Sequence, residues 1–499
     1  IDYIENFIMF DNGKRLSKII AKNHQYIGVN NLMESLHNRK ELEGKLGVFW
    51  HTQGPGKSYS MVFFTRKVNR KIEGNFTFLI ITDRSDLDTQ IHKTFIRTEV
   101  VAKNEMCKPA NSKSLRDYLV SNKPYVFTLI HKFRTAKDEK EYPVLTERND
   151  IIVLVDEAHR TEYADLAENM RKALPNANFI AFTGTPLLGA KRLTNRWFGN
   201  YVSIYDFKQS VDDGATVPLY YSRRVPEVGL TNNFLDDDIV RIIEENDLNE
   251  KETTLVEDSH SRIMEVIKRE DRLKKIAKDI AHHFPRRGYL GKGMVVCVDK
   301  FTAIKMYDLV NQYWDEEKQN LIVERNKTTY GSNEYKMLTR SLDYMNKINM
   351  AVVISDTGTD DDKFTSKGLN IAKHRDEMNR IDENGLDIED RFKDPDNQLS
   401  LVFVCAMWLT GFDVKCLSCL YLDKPLKAHT LMQTIARANR VSAGKNNGLI
   451  IDYIGIVKAL RKELKRKGAK VYLTREGDYY HQDSGLAVIL SNGEGGSKQ

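Results

Sequence analysis

The sequence has little of three features that would assign it to other classes of protein. Five cysteines among 499 residues are too few for the disulfide framework of a secreted domain. No run of apolar residues approaches the roughly 18 that a membrane-spanning helix requires, and the chain does not open with a secretory signal pattern. These absences predict a cytoplasmic protein with no membrane partner.

Neither sign of charge dominates the chain. There are 76 basic and 70 acidic residues, a formal net charge of +6, so nucleic-acid binding would depend on local basic stripes rather than on overall charge. The length predicts roughly two to four domains. Cys416 and Cys419 form a lone C-x-x-C without a second pair or a histidine cluster at zinc spacing, which favours buried free thiols over a zinc site.

The most informative pattern is a glycine-rich segment that follows an apolar run. Residues 46–50 predict a buried strand, and Gly-Pro-Gly-Lys-Ser follows at residues 54–58. A turn of this kind between a strand and a helix points backbone N–H groups at an anion. Lys57 would reach the β- and γ-phosphates of a nucleotide, and the Ser58 hydroxyl would ligate Mg²⁺.

Two residues depart from the usual phosphate-binding pattern. His51 stands where the eight-residue pattern has its first glycine, and Pro55 contributes no N–H to the loop. Taken alone, the segment is also compatible with a chance glycine turn before an ordinary helix. The departures concern how tightly the loop binds phosphate rather than the fold.

Two predicted strands end in polar residues. Residues 151–155 are all β-branched or leucine, which predicts a strand buried on both faces of a parallel sheet. Asp156 follows at the carboxyl end, where open α/β sheets bind ligands, and it can hold Mg²⁺ while Glu157 polarises an attacking water. The alternative is a pair of solvated carboxylates. The second strand ends in Thr183 and Thr185, candidates for coupling nucleotide state to a second domain.

A polar triplet lies near the C-terminus. Gln433, Arg437 and Arg440 fall at i, i+4 and i+7, so a helix would place them on one face. Arginine is suited to stabilising charge on a transferring phosphoryl group. The alternative is a basic helix face in water.

The order of these segments resembles a superfamily 2 helicase-type motor. The segments at 50–54, 404–413 and 422–426 narrow the resemblance to the motor (restriction, R) subunit of type I restriction-modification enzymes, over about residues 5–455. This resemblance implies an α/β fold of two tandem RecA-like domains, each a parallel sheet flanked by helices, with short helical extensions.

The resemblance also implies roles for individual residues. Gln25 matches the glutamine that reads the adenine edge of ATP. Arg84, Gln90 and Thr128 match segments that touch DNA, although His131 stands where glutamine is usual. The combined assignments are Gln25, Gly54, Gly56, Lys57, Ser58, Gly411 and Asp413 for ATP; Ser58 and Asp156 for Mg²⁺; Glu157, Arg437 and Arg440 for catalysis; and Thr183, Thr185 and Gln433 for coupling.

The alternation of strand and helix patterns predicts the domain organisation. The predicted parts are a helical adenine-reading segment at 1–40, a first motor domain at 41–215, a connector with helices at 216–290, a second motor domain at 291–455 with an insertion at 355–399, and a basic helix and tail at 456–499. The basic helix, at 457–467, would lie along DNA phosphates or on a solvated surface.

In the family that the chain resembles, a nuclease domain with a D/E-x-K pair precedes the motor. Three such pairs begin here at Glu43, Asp138 and Glu334. All fall inside the predicted motor, where so charged a chain produces them by chance. We therefore expect the nuclease and the C-terminal helical part that binds the modification subunits to be absent from this chain, which would be a fragment or a natural truncation.

The residues predict an ATP- and Mg²⁺-dependent motor, and the resemblance implies that it is a translocase on double-stranded DNA. By the same resemblance it would be the motor of a type I site-specific deoxyribonuclease, with the modification and specificity subunits as partners. Two alternatives stay open: a strand-separating DNA or RNA helicase with the same core, and an ATP-inert DNA-binding or assembly module, which Pro55 alone favours.

Overall fold

A computed structural model gives the fold. It describes residues 1–226 except 14–15, 53, 55, 84, 102–105, 136–141, 157–162 and 185–192; residues 261–456 except 262, 356–363, 367, 410–411 and 427; and two strands at 473–474 and 486–489. The chain divides into two compact units, residues 1–210 and 211–499. Within the described residues, no helix is long and apolar enough to cross a membrane.

The first unit alternates strands with helices. Its strands are β1 (Ile8–Asn12), β2 (Leu16–Ile20), β3 (Lys45–His51), β4 (Thr77–Thr82), β5 (Met106–Cys107), β6 (Tyr125–Leu129), β7 (Ile151–Asp156), β8 (Asn178–Thr183) and β9 (Tyr201–Tyr205). Its helices are α1 (Asp2–Asn6), α2 (Asn23–His37), α3 (Lys57–Lys71), α4 (Ser85–Arg97), α5 (Ser112–Val120), α6 (Tyr163–Ala173) and α7 (Leu193–Phe198), and α8 (Phe207–Asp212) leads into the second unit.

Seven strands of the first unit form one parallel sheet, in the order β5-β6-β4-β7-β8-β3-β9. Every residue of β7 is buried. Ile152 and Leu154 join the apolar cluster on one face, and Val153 and Val155 join the cluster on the other. Helices therefore cover both faces, as the unbroken apolar run predicts, and the carboxyl ends of β3, β8 and β7 lie side by side at one edge.

The segment before the sheet differs from the prediction. Residues 8–20 form an antiparallel hairpin of β1 and β2, with Ile8 opposite Ile20. The prediction that residues 1–40 are helical is therefore wrong for the hairpin. Buried Met9 and Asp11 alternate with exposed Phe10 and Asn12, the period of two that a strand requires.

Within the described part of the second unit, eight parallel strands form one sheet, in the order β12-β13-β11-β14-β15-β10-β17-β16. The strands are β10 (Leu219–Arg223), β11 (Lys292–Cys297), β12 (Asn349–Val353), β13 (Leu399–Val404), β14 (Leu417–Asp423), β15 (Gly448–Asp452), β16 (Leu473–Thr474) and β17 (Leu486–Ile489). The helices are α9 (Glu270–His283), α10 (Lys300–Lys327), α11 (Asn333–Lys347), α12 (Ala372–Asn379), α13 (Ile388–Lys393) and α14 (Ala428–Ile435). The predicted α/β class, with two parallel sheets flanked by helices, is confirmed.

The predicted insertion at 355–399 contains structure of its own. Helices α12 and α13 lie within it, and Asp387 caps α13 by accepting a hydrogen bond from the backbone N–H of Asp390 at 2.7 Å. Arg391 of α13 donates to the carboxylate of Glu377 in α12 at 2.7 Å, which fixes the two helices together. The predicted basic helix at 457–467 lies outside the described residues.

Candidate functional site

The phosphate loop predicted from the sequence connects β3 to α3. Gly56 is the N-cap of α3 and has a φ of +90°, in the left-handed region that glycine adopts without a Cβ clash. Gly54 also has a positive φ, +113°. Because Gly56 has no side chain to cap the helix, the first backbone N–H groups of α3 keep their capacity to bind an anion.

Lys57 and Ser58 open the first turn of α3 and are half-buried. The Lys57 ammonium donates hydrogen bonds to the backbone carbonyls of His51 at 3.2 Å and Thr52 at 3.5 Å. The positive charge is therefore held against the carboxyl end of β3, beside the loop that an anion would occupy.

Gln25 ties the start of α2 to this loop. Its side chain is 4% exposed. The amide oxygen accepts from the backbone N–H of Lys22 at 2.9 Å, and the amide nitrogen donates to the Gly56 carbonyl at 2.9 Å and the Ser60 hydroxyl at 3.3 Å. Both the oxygen and the nitrogen of the Gln25 amide thus form hydrogen bonds within the protein. The assignment of this amide to adenine recognition stays a prediction.

A buried histidine fills the position of the missing glycine. The His51 ring is fully buried, and its Nε2 lies 2.7 Å from the Ser203 hydroxyl of β9. The ring also packs against Phe49, with 4.0 Å between centroids, and against His24 at 5.1 Å. Burial, followed by the charges of His24 and Lys57, lowers the pKa of His51 well below 6.5, so the ring is neutral at pH 7.

Asp156 and Thr183 end neighbouring strands of the sheet. Asp156, at the end of β7, is 7% exposed, and Thr183, at the end of β8, is fully buried and aligned with Trp50 of β3. Since adjacent strands lie about 4.8 Å apart, Asp156 and the end of β3 are about 10 Å apart across the sheet. Glu157 and Thr185, which the sequence assigns to the same edge, lie outside the described residues.

The residues predicted to touch DNA receive no support as a group. Thr128 is 2% exposed in β6, and its hydroxyl has no hydrogen-bond partner among the described residues. Arg84 and the side chain of Gln90 are not among those residues. Contact of these three residues with DNA stays a prediction.

In the second unit, the helix that carries the predicted polar triplet is shorter than expected. Helix α14 ends at Ile435, and residues 436–439 continue in tight turns. The prediction that Gln433, Arg437 and Arg440 share one helix face is therefore wrong. The backbone after α14 packs closely on the sheet: a Cβ on Gly448 of β15 would lie 2.2 Å from the Ala438 carbonyl oxygen.

The two arginines are nevertheless brought together with Asp413. Arg437, 7% exposed, donates from Nη1 to the backbone carbonyl of Phe412. The next residue, Asp413, forms an ion pair with Arg440, with 3.0 Å between Oδ1 and Nε. Gln433 is buried, and its amide oxygen has no hydrogen-bond partner within the part of the chain that the structure describes. Gly411 lies outside that part.

Sequence reasoning missed one link at the phosphate loop. Asp11 of the hairpin is buried, and it accepts hydrogen bonds from the Tyr59 hydroxyl at 2.6 Å and from two nitrogens of Arg97 at 2.7 and 2.8 Å. Burial opposes ionisation, but the bonds from Arg97 and Tyr59 lower the pKa of Asp11 below its usual value. Tyr59 lies two residues after Lys57, so Asp11 joins the start of α3 to the end of α4.

The cysteine prediction is confirmed. All five cysteines are free and buried, and burial raises the pKa of Cys416 and Cys419. Within the described residues, no group of three or more histidine, cysteine or acidic side chains is arranged to hold a metal.

Comparison with known proteins gives the family. Residues 24–252 match the SWI2/SNF2 ATPase family, and residues 291–455 match type I restriction enzyme subunit R domain 3. The chain therefore contains a SWI2/SNF2 ATPase domain and a type I restriction enzyme R-subunit domain. The resemblance stated from the sequence is thereby confirmed, and the first of the two domains is an ATPase domain by family.

Two similar proteins, both restriction enzyme subunits by name, are longer than the chain. The HindI endonuclease subunit of Haemophilus influenzae is 35% identical over 92% of the chain, and the putative MjaIXP endonuclease subunit of Methanocaldococcus jannaschii is 34% identical over 93%. The chain spans 42% and 41% of the length of these two proteins.

Solved structures agree in fold. A fragment of a putative HsdR subunit from Vibrio vulnificus superposes with a TM-score of 0.52 at 17% identity, covering 88% of the chain and 65% of the fragment. The type ISP restriction-modification enzyme LlaBIII bound to DNA gives 0.54 at 13% identity, covering 97% of the chain and 32% of that enzyme. At such identities the likeness concerns the fold alone, which is that of tandem RecA-like domains.

Proposed function

We propose that the chain is the ATP-driven translocase motor of a type I restriction enzyme R subunit and moves along double-stranded DNA. One observation carries this proposal. The left-handed Gly56 and the start of α3 place Lys57 at the sheet edge where Asp156 also ends its strand. That arrangement suits a nucleotide phosphate beside a metal-binding carboxylate.

The residues at this edge fit a nucleoside triphosphate with Mg²⁺. The N–H groups at the start of α3 and the Lys57 ammonium match phosphate oxygens. Ser58 and Asp156 offer the hydroxyl and carboxylate oxygens that Mg²⁺ prefers. When bound, Mg²⁺ supplies positive charge to the phosphate oxygens.

The proposed mechanism assigns each step to side chains of this chain. Lys57 and the loop bind the phosphates, and Glu157 orients the attacking water. Arg437 and Arg440 stabilise the negative charge that develops on the transferring phosphoryl group. The nucleotide state is coupled to movement on DNA by Thr183, Thr185 and Gln433. The motor contacts the DNA through the phosphate backbone rather than through the bases.

The partners are also part of the proposal. Double-stranded DNA is the track, and the modification and specificity subunits of the restriction-modification complex supply sequence recognition. The SWI2/SNF2 match supports ATP use, and the restriction-enzyme names of the relatives support the assembly.

The proposal is tested by the rate of ATP hydrolysis without nucleic acid, with duplex DNA and with single strands. We expect strong stimulation by duplex DNA and its loss in Glu157→Gln, because that substitution removes the carboxylate that polarises water. Stimulation by single strands or RNA instead would favour the helicase alternative. A duplex with an interstrand crosslink separates the two further, since a translocase continues to hydrolyse ATP on it and a strand separator stalls.

Gln25→Ala distinguishes adenine recognition from support of the loop. Because Gln25 donates to the Gly56 carbonyl, the substitution is expected to raise the KM for ATP. If the amide also recognises adenine, the KM for GTP should rise less than the KM for ATP. The ratio of the two KM values, which expresses the preference for ATP, should then become smaller. Steady-state kinetics with both nucleotides is the measurement. Equal increases in the two KM values would contradict the adenine-reading assignment and leave Gln25 as a support of the loop.

A further inference from the structure

The loop between β13 and β14 is packed around a stack of three aromatic rings. The rings of Trp408 and Phe412 lie 4.2 Å apart and 9° from parallel. Phe392, from α13 of the insertion, stacks on them at 5.5 and 6.3 Å. Phe392 is fully buried. Rings at these separations contribute a favourable interaction energy in addition to that of the apolar area that they bury. The stack therefore joins helix α13 of the insertion to the loop.

The backbone of this loop depends on that packing. Trp408 has a φ of +65°, a region that bulky residues rarely occupy and keep only where the surroundings hold them. Helix α13 contacts the loop at two further points. The Lys393 ammonium lies 5.1 Å from the Phe412 ring centroid, and the Cys416 sulfur lies 3.6 Å from the Lys393 carbonyl oxygen.

The stack leads directly to the two arginines. The carbonyl of Phe412 accepts the hydrogen bond from Arg437, and the adjacent Asp413 pairs with Arg440. A shift of the Phe412 backbone would therefore move both the hydrogen-bond acceptor of Arg437 and the ion-pair partner of Arg440. Lys445 donates to the Arg440 carbonyl at 2.8 Å and the Leu417 carbonyl at 2.6 Å, which fixes the far side of the same region.

We propose that Phe392 is a positioning residue for Arg437 and Arg440. Its ring holds Trp408 and Phe412 in place, and the Phe412–Asp413 backbone in turn sets the direction of both guanidinium groups. The insertion thereby acts on the chemistry through the loop between β13 and β14. This inference rests on the proposed function, in which the two arginines act on the transferring phosphoryl group of ATP.

Phe392→Leu tests the proposal because leucine keeps an apolar side chain and removes the ring. Misplaced arginines lower the stabilisation of the transition state, so kcat for duplex-stimulated ATP hydrolysis is expected to fall roughly 10- to 100-fold. The KM for ATP should stay within about twofold, because the arginines contribute little to ground-state binding. Phe364→Leu is the matched control: Phe364 is a buried phenylalanine of the same insertion whose ring stacks on Phe301 at 4.2 Å. It should leave kcat unchanged.

Dependence on the two arginines separates positioning from general loss of packing. In an Arg437→Ala/Arg440→Ala background, Phe392→Leu is expected to cause no further fall in kcat, since both groups that it positions are already gone. A further fall as large as that in the parent protein would overturn the proposal.

A second readout does not depend on activity. Phenylglyoxal labelling followed by peptide mass spectrometry reports how exposed each arginine is. Labelling of Arg437 and Arg440 should rise in Phe392→Leu but not in Phe364→Leu, and equal labelling in the two variants would overturn the proposal. If the parent protein hydrolyses no ATP, the proposed function fails, while the labelling still decides whether Phe392 positions the arginines.

Discussion

Lys57→Ala is expected to lower duplex-stimulated ATP hydrolysis by roughly 100- to 1,000-fold. The Lys57 ammonium is held beside the phosphate loop by the carbonyls of His51 and Thr52. Alanine removes this charge and keeps the helix, because it has the highest helix propensity. The measurement is steady-state hydrolysis at saturating duplex DNA, with the midpoint of thermal unfolding as a check on folding.

Lys71→Ala is the matched control for this experiment. Lys71 is the last residue of the same helix, and its ion pair with Glu5, at 2.7 Å, is exposed. Its removal changes the charge of α3 by the same amount at the end remote from the loop, so hydrolysis should be unchanged. Retained duplex-stimulated turnover in Lys57→Ala would contradict the assignment of the phosphate site.

The parts of the fold that the sequence predicts well are those whose environment is uniform. Residues 151–155 are apolar at every position because β7 is covered on both faces, and an unbroken apolar run of this length rarely faces solvent. The glycines of the phosphate loop are equally informative, because the backbone at Gly54 and Gly56 takes positive φ values that other residues avoid.

The parts that the sequence predicts poorly depend on distant contacts. The end of α14 is one case, because no residue pattern within 428–440 indicates that the helix must end and the chain must turn to pack on β15. The requirement comes from Gly448, whose missing side chain admits the Ala438 carbonyl. The hairpin at 8–20 is another case, since its buried Asp11 is stabilised by Tyr59 and Arg97 far along the chain.

In the candidate site, too, the residue types are predicted from the sequence, whereas the contacts between distant segments are not. Sequence patterns name Lys57, Asp156 and the arginine pair because their chemistry is distinctive. They do not show that the Gln25 amide donates a hydrogen bond to the Gly56 carbonyl. Nor do they show that His51 Nε2 lies within hydrogen-bond distance of the Ser203 hydroxyl. These contacts join α2 and β9 to the phosphate loop and become visible only when the three elements are placed side by side.

Arg272→Met is expected to lower the free energy of unfolding of the second unit by about 3–5 kcal/mol. Arg272 of α9 is 3% exposed, and it donates to the carboxylate of Asp423 at 2.5 Å and the carbonyl of Tyr453 at 2.8 Å. Asp423 is fully buried, and its second carboxylate oxygen has no hydrogen-bond partner among the residues that the structure describes. Without Arg272 a buried charge stays uncompensated. Urea unfolding monitored by circular dichroism is the measurement.

The pH dependence of this variant checks the cause. Burial already raises the pKa of Asp423, and Arg272 opposes that rise, so the substitution should raise the pKa further. The folded variant then binds more protons than the unfolded chain above the ordinary pKa of 3.8, and its stability falls as pH rises. The loss relative to the parent protein should therefore be greater at pH 8 than at pH 5.

Two further variants separate the buried pair from a general effect of losing an arginine. Arg269 and Asp271 form an exposed ion pair at 2.8 Å near the start of the same helix, so Arg269→Met should leave the unfolding midpoint nearly unchanged. In Arg272→Met/Asp423→Leu, both charges are replaced by apolar groups, and most of the lost stability should return. A double variant as unstable as Arg272→Met would mean that the arginine acts through its bond to the Tyr453 carbonyl rather than by compensating the buried carboxylate.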